Sequence, residues 1–308
     1  MTEPLFDKVA IIGLGLIGSS MARGIKKRGL AATVIGYDGS PDVRTRSRDL
    51  GFCDAIAETA EEAVTDASLV VLAVPVGAMR EAAQSIASHL AEGAIVTDVG
   101  SVKTAVVHQV GEVLPDQALF VPGHPVAGTE YSGPEAGFAE LFEGRWFVVT
   151  PCEQSTAEGV EAVSCLWREL GSTVEQMTPE HHDIVLAMTS HVPHLIAYNI
   201  VGTAAELETV TQSEVIKFSA GGFRDFTRIA SSDPVMWRDV FLNNKEAVLE
   251  VLGRFSEDLA ALQRLVRWDD GQALQDHFTR ARAVRHRIVE AGQDTADADF
   301  GRSHGHDD

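Results

Sequence analysis

Four short segments concentrate the side chains able to do chemistry in this 308-residue sequence. Thr97-Asp98-Val99-Gly100-Ser101-Val102-Lys103 ends an apolar run on a carboxylate and follows it with a hydroxyl and an amine. Gly123-His124-Pro125-Val126-Ala127-Gly128-Thr129-Glu130 sets a histidine against a proline on what reads as a constrained loop. An imidazole with its ordinary pKa of about 6.5 can exchange protons near neutral pH. Thr189-Ser190-His191-Val192-Pro193-His194 adds two more histidines. Their spacing is not HExxH, and the proline would disturb a helical zinc pair, so no metal site is expected. In Gly221-Gly222-Phe223-Arg224-Asp225-Phe226-Thr227-Arg228-Ile229-Ala230, Asp225 and Arg228 stand three apart, neighbours on a helical turn. The carboxylate there would hold a partly buried guanidinium for a forked bond to a substrate carboxylate. The plainer readings are a helix cap at Ser101, a structural histidine at 124 and an ordinary ion pair at 225/228.

A fifth segment binds rather than reacts. Gly13-Leu14-Gly15-Leu16-Ile17-Gly18 follows the apolar run Lys8–Ile12 and opens a helical pattern over Leu16–Arg28. This is the context in which GxGxxG signals a dinucleotide. Gly13 permits the tight turn, Gly15 lets the backbone approach a pyrophosphate, and Gly18 permits close helix–strand packing. The helix N-terminus, with Leu16 and Ile17, supplies N–H donors and a positive dipole. Asp38 ends the next strand twenty residues beyond Gly18, where a carboxylate accepts from the adenosine ribose 2′-OH. It would repel a 2′-phosphate, so NAD is expected over NADP. Arg44 and Arg46 nearby are the contrary signal, and Asp38 could instead be only a residue of the turn Asp38-Gly39-Ser40-Pro41. Val74 and Pro75 end a further strand on the ligand edge and are expected beside the nicotinamide, Pro75 having the plainer reading of a strand terminator.

The elements that must position these segments are short apolar runs alternating with helical patterns. Strands are expected at Lys8–Ile12, Thr33–Tyr37, Leu69–Val74, Ala94–Asp98, Leu119–Val121, Trp146–Thr150 and Thr173–Gln176. Continuous apolar runs of this kind suit strands covered on both faces. The fold class is α/β, a Rossmann-type doubly wound, mostly parallel sheet, followed by an all-α domain. Residues 1–178 form the nucleotide-binding domain. Residues 179–291 form the helical domain, with long helices over Pro179–Val201, Val235–Leu265 and Gly271–Ala291. Residues 292–308, with five Asp, one Arg and almost nothing apolar, read as a disordered tail. The long apolar helices suggest a homodimer.

With 25 Lys+Arg against 45 Asp+Glu the net charge is −20, which argues against nucleic-acid binding. Cys53, Cys152 and Cys165 are too few and too scattered for a disulfide framework, which fits a reducing cytoplasm. There is no signal-peptide pattern and no run of 18 apolar residues, so no membrane span is expected.

GLGLIG, TDVGSVK, HPVAGTE, TSHVPH and GGFRDFTRIA, in this order, resemble the prephenate/arogenate dehydrogenases of tyrosine biosynthesis. The resemblance runs over about residues 8–285. It implies an NAD domain, a helical dimerisation domain and an active site in the cleft between them. It implies that His124 is the catalytic histidine and Ser101 its hydroxyl partner. Arg228 would bind the ring carboxylate, held by Asp225. His194, Thr129, Glu130 and Trp237 would lie near the substrate, and the role of His191 stays open. Prephenate dehydrogenase is the leading expectation. Arogenate dehydrogenase is the alternative, since the two substrates differ only in a keto or ammonium side chain. The HPVAGTE and GGFRDFTRIA segments argue against a β-hydroxyacid dehydrogenase.

Overall fold

The computed structural model describes residues 3–116, 118–129, 131–211, 217–219 and 221–290. Glu130 and the 292–308 tail lie outside these. Six strands form one parallel sheet: β1 (Phe6–Ile12), β2 (Ala31–Tyr37), β3 (Ala55–Ile56), β4 (Leu69–Leu72), β5 (Ile95–Asp98) and β6 (Leu119–Val121). Their spatial order is β3-β2-β1-β4-β5-β6, which reverses direction between β1 and β4. In an open α/β sheet that reversal opens a crevice beyond the carboxyl ends of the strands. The register brings those ends level. Ile12 pairs with Tyr37 on one side and Leu72 on the other, and Leu72 pairs with Asp98. The residues that follow each strand, Gly13, Asp38, Ala73 and Val99, therefore share one edge. Val9, Ala10 and Ile11 of β1 and all of β4 are fully buried, which is why these strands read as unbroken apolar runs.

A second sheet orders β7 (Gly123–Val126), β8 (Trp146–Val149) and β9 (Thr173–Gln176), with β7 antiparallel and β9 parallel to β8. Phe147 of β8 stacks on Trp167, ring centroids 4.3 Å apart, and Phe142 meets the same indole edge-on.

The helices in chain order are α1 (Leu16–Arg28), α2 (Pro41–Leu50), α3 (Ala60–Val64), α4 (Met79–Ile86), α5 (Thr104–Gly111), α6 (Ala157–Glu169), α7 (Pro179–Leu186), α8 (Val192–Thr211), α9 (Gly221–Thr227), α10 (Pro234–Asn243), α11 (Lys245–Arg267) and α12 (Gly271–Glu290). A π-helical turn, Ala187–His191, joins α7 to α8. Pro193, just beyond it, has no N–H to continue the ladder.

The structure departs from expectation at several points. His124 lies on a strand, not a loop. β7 was hidden because Gly123 and Pro125 sit within its four residues, tolerable because among the described residues it pairs only with β8. The two-residue β3 was too short to register. The helix expected over Val235–Leu265 breaks at Asn244, the C-cap of α10. By length and composition alone the helical stretch Pro179–Leu207 could cross a bilayer, which its scattered polar residues concealed. Three of those residues, His182, Asp183 and His191, are buried in the polar network described below.

The chain forms two compact units. One holds the chain up to Ile196 together with Ile229–Val248; the other holds Ala197–Arg228 and the chain from Leu249 onward. Both sheets, α7, the π turn, His194 and α10 with Trp237 thus belong to the first unit, and Asp225 and Arg228 to the second.

Candidate active site

The glycine loop has the form a dinucleotide requires. Gly13 has φ +101°, and a Cβ there would meet the Ala73 carbonyl oxygen at 2.4 Å. A Cβ on Gly18 would meet the Gly13 oxygen at 2.0 Å. Around Gly15 nothing lies within 4 Å of an added Cβ, so the loop is open there. Gly15 is the N-cap of α1 but carries no capping side chain, and the first turn holds no acid. Leu16 and Ile17 therefore present a helix N-terminus suited to a phosphate. Asp38 sits beside the loop. Its Oδ2 accepts from the Leu14 N–H at 2.9 Å and its Oδ1 from the Ser40 N–H at 2.9 Å. Arg44 is already engaged. Its Nη1 donates to the Asp38 carbonyl at 2.8 Å, its Nε lies 3.5 Å from Glu58, and its guanidinium covers the Tyr37 ring. Arg46 pairs with Glu135 at 3.1 Å. Val74 contacts the position a Gly13 Cβ would take, and Pro75 opens the turn that follows. These residues fit a bound NAD.

Next along the strand ends comes a buried ion pair. Asp98 ends β5, and its carboxylate accepts from the Lys103 ammonium; both side chains are fully buried. Lys103 Nζ also donates to the Gly123 carbonyl at 2.7 Å, while Gly123 N–H donates to Asp98 Oδ1 at 3.2 Å. The pair thus grips the residue before His124 by both backbone groups. Burial pulls the Lys103 pKa down, and Asp98 opposes that.

His124 then meets a chain of partners. Its Nδ1 lies 2.9 Å from His182 Nε2, and His182 Nδ1 lies 2.9 Å from Asp183 Oδ1. The Asp183 carboxylate also accepts from the backbone N–H of Lys103 at 2.8 Å and of Thr104 at 2.9 Å. Asp183 therefore caps α5 from another helix. Ser101 is not the cap, which falls at Lys103, so its hydroxyl is spared that use. Burial would raise the Asp183 pKa, but the bonds from His182, Lys103 and Thr104 outweigh it and hold the carboxylate ionised. Burial pushes His124 well below its ordinary 6.5, helped by repulsion from His182 and Lys103. His182 is lowered by burial too, against the pull of Asp183.

On the helical side, Asn244 Nδ2 donates to the Asp183 carbonyl at 2.9 Å and faces His191 Nδ1 at 3.0 Å. His194 Nδ1 donates to the Ser190 carbonyl at 2.8 Å, and its ring stacks on Trp237 with centroids 3.7 Å apart. The Trp237 Nε1 is buried with no hydrogen-bond partner among the described residues. His124, His182, His191, His194 and Trp237 are thus gathered in the first unit. Thr129 is exposed, and its Oγ1 accepts from the Tyr131 N–H at 3.2 Å. The expected Asp225–Arg228 arrangement is corrected in two respects. Asp225 bonds Arg224 at 3.3 Å, and Arg228 is exposed, not partly buried, as is the neighbouring Phe226. Sequence reasoning missed His182, Asp183 and Asn244, and it singled out the Lys103 segment without giving the amine a role. The Thr178-Pro179 helix start was a signal that the His182-Asp183 pair lies one turn into a helix.

The sheet order, the glycine loop and Asp38 define a Rossmann-type NAD-dependent oxidoreductase, and comparison with known proteins narrows this. Residues 21–176 match the family model described as "Prephenate dehydrogenase, nucleotide-binding domain", and residues 178–280 match "Prephenate dehydrogenase, dimerization domain". The chain belongs to the prephenate dehydrogenase family. It is 42% identical to the cyclohexadienyl dehydrogenase of Zymomonas mobilis over 91% of this chain and 96% of that protein. It is 35% identical to the prephenate dehydrogenase of Bacillus subtilis, over 91% of this chain and 75% of that protein. The crystal structure of Aquifex aeolicus prephenate dehydrogenase in complex with hydroxyphenyl propionate and NAD+ superposes with a TM-score of 0.85 at 36% identity, covering 92% of this chain and 98% of that one.

Proposed function

We propose that this enzyme oxidises prephenate to 4-hydroxyphenylpyruvate with His124 as the general base. The observation that carries the assignment is His124 itself. It is buried, kept neutral at physiological pH and held at the ligand edge of the sheet by the Asp98–Lys103 pair. NAD, when bound, would supply the acceptor for the hydride that leaves the ring carbinol carbon. His124 takes the hydroxyl proton, and Ser101 orients that hydroxyl. The bond from the ring to its carboxylate then breaks, its electron pair makes the ring aromatic as CO₂ leaves, and His124 returns the proton to the ring oxygen to give the phenol. Arg228 binds the ring carboxylate. The same reading assigns His194, Trp237 and Thr129 to contacts with the substrate. Replacing His124 by Ala should lower kcat by about 10²–10⁴-fold with NAD affinity little changed. Near-wild-type turnover would show that another group is the base.

A second reading concerns substrate range. The relative at 42% identity is named a cyclohexadienyl dehydrogenase, which supports action on arogenate as well. Parallel assays with prephenate and arogenate, each with NAD and NADP, test both points. We also propose a cytoplasmic homodimer formed mainly by the helical domain. Support comes from the matched dimerization domain and from exposed apolar side chains such as Leu259, Val266, Trp268 and Phe278. Light scattering should return twice the chain mass of 33.1 kDa.

A further inference from the structure

We infer that His182 and Asp183 are positioning residues that fix the tautomer of His124, leaving Nε2 as its bare, proton-accepting nitrogen. The inference deepens the reading of His124 as base and rests on it for its kinetic part. The argument follows the hydrogens. Asp183 Oδ1 already accepts the Lys103 N–H, and Oδ2 the Thr104 N–H. An ionised carboxylate so placed has only acceptors to offer, so the proton between it and His182 belongs to His182 Nδ1. A neutral His182 then has a lone pair on Nε2. That lone pair faces His124 Nδ1 at 2.9 Å, so Nδ1 must carry the hydrogen. Neutral His124 has its second nitrogen, Nε2, unprotonated.

The opposite assignment fails at the far end. If His124 carried its hydrogen on Nε2, His182 would have to donate from its own Nε2. His182 Nδ1 would then point a lone pair at the carboxylate, with no hydrogen between them. Both His124 and His182 are buried, so water cannot relieve that clash. The direction of the relay is therefore set by two backbone N–H groups at the start of α5. No proton has to travel along it. When Nε2 accepts the substrate hydroxyl proton, the Nδ1–H stays donated to His182 and the His182 Nδ1–H stays donated to Asp183. The new positive charge lies two hydrogen bonds from a carboxylate, a charge-assisted arrangement stronger than a neutral one. This also accounts for a buried His–Asp pair that the catalytic scheme leaves otherwise unused.

The test uses the full-length chain, with histidine ring nitrogens labelled with ¹⁵N. In the free enzyme at pH 8 the His124 signals should report a protonated Nδ1 and a bare Nε2. A protonated Nε2 would overturn the inference whether or not His124 proves to be the base. His182→Phe keeps the ring volume but removes the acceptor. It should mix the His124 tautomers and lower kcat by about ten- to a hundredfold, a part of what complete loss of a general base costs, with prephenate KM changed little. His182→Gln, whose Oε1 can take the Nε2 position and accept the hydrogen, should recover part of that loss. An unchanged kcat in His182→Phe would overturn the positioning role. So would equal losses in Phe and Gln variants with the tautomer unaltered.

Discussion

Asn244 Nδ2 lies 3.0 Å from Nδ1 of His191, and the same nitrogen donates to the Asp183 carbonyl at 2.9 Å. The carbonyl can only accept, so the amide nitrogen is fixed at that position and its second hydrogen points at His191. His191 Nδ1 is then an acceptor, and its hydrogen sits on the buried Nε2. One residue at a helix break thereby ties the carboxylate end of the histidine relay to the π turn, where burial keeps His191 neutral.

Acid should destabilise this fold early. Burial lowers His191 to about 4 from an ordinary 6.5, repulsion from His182 adding to it, and His124 and His182 are lowered as well. The unfolded chain therefore takes up protons first as the pH falls. Stability should be whole above about pH 6.5 and decline from there through each folded value, by about 1.4 kcal/mol per pH unit for each histidine. His191→Phe strands one Asn244 hydrogen, so it should be less stable at pH 7 yet flatter between pH 6 and 4.5. Urea unfolding at several pH values checks this, and a slope equal to that of the unaltered chain would refute it.

Cofactor choice should turn on Asp38. Its carboxylate is fixed by two backbone N–H groups, with acceptor capacity left for a ribose. Arg44, the nearby cation, is held by Glu58, the Tyr37 ring and the Asp38 carbonyl. Asp38→Ser should raise NADP efficiency relative to NAD by roughly ten- to a hundredfold, the worth of one charge-assisted hydrogen bond. Equal use of both cofactors by the unaltered enzyme would show that Asp38 is only a turn residue.

These two predictions differ in how far the sequence alone could support them. The glycine loop and Asp38 were legible because local geometry demands them: a positive φ at Gly13, a close approach at Gly18, and a carboxylate one strand later. The histidine relay was not. Asp183 caps a helix that lies 80 residues earlier in the chain, and no local pattern announces such a pairing. β7 was hidden by Gly123 and Pro125, which lower strand propensity where pairing with β8 overrides it. Arg228 has apolar neighbours in the chain, yet it and Phe226 are both exposed, because exposure depends on what packs against a segment and not on the residues beside it in sequence.

Asp98 and Lys103 should behave as one unit. Asp98→Asn leaves an ammonium fully buried without its counter-charge, at a cost of about 3–5 kcal/mol. The double variant Asp98→Asn/Lys103→Met removes that buried charge and should recover part of the loss. Because the pair also grips Gly123, both variants should lower kcat more than they raise KM. A double variant no more stable than Asp98→Asn would show that the two side chains act independently.

Arg228 gives the strictest test of substrate recognition. Prephenate is a dianion, and the protein carries a net charge of −20, so the global field opposes binding and a local cation must compensate. Arg228 is exposed in the free chain, so its bond to a carboxylate forms under partial solvent screening. That places its contribution near the lower end for a charged hydrogen bond, about 1.5 kcal/mol, or about tenfold in affinity. Arg228→Ala should raise prephenate KM by about this factor and leave NAD binding unchanged, since Arg228 lies outside the unit that carries the glycine loop. Arg228→Lys should recover part of the loss, because an ammonium keeps the charge but lacks the planar fork. The same screening makes a second demand: KM of the unaltered enzyme should rise with ionic strength, and that dependence should weaken in Arg228→Ala. KM measured from 50 to 500 mM NaCl in the three proteins decides the matter. A salt dependence unchanged by the alanine substitution would mean that some other cation holds the ring carboxylate.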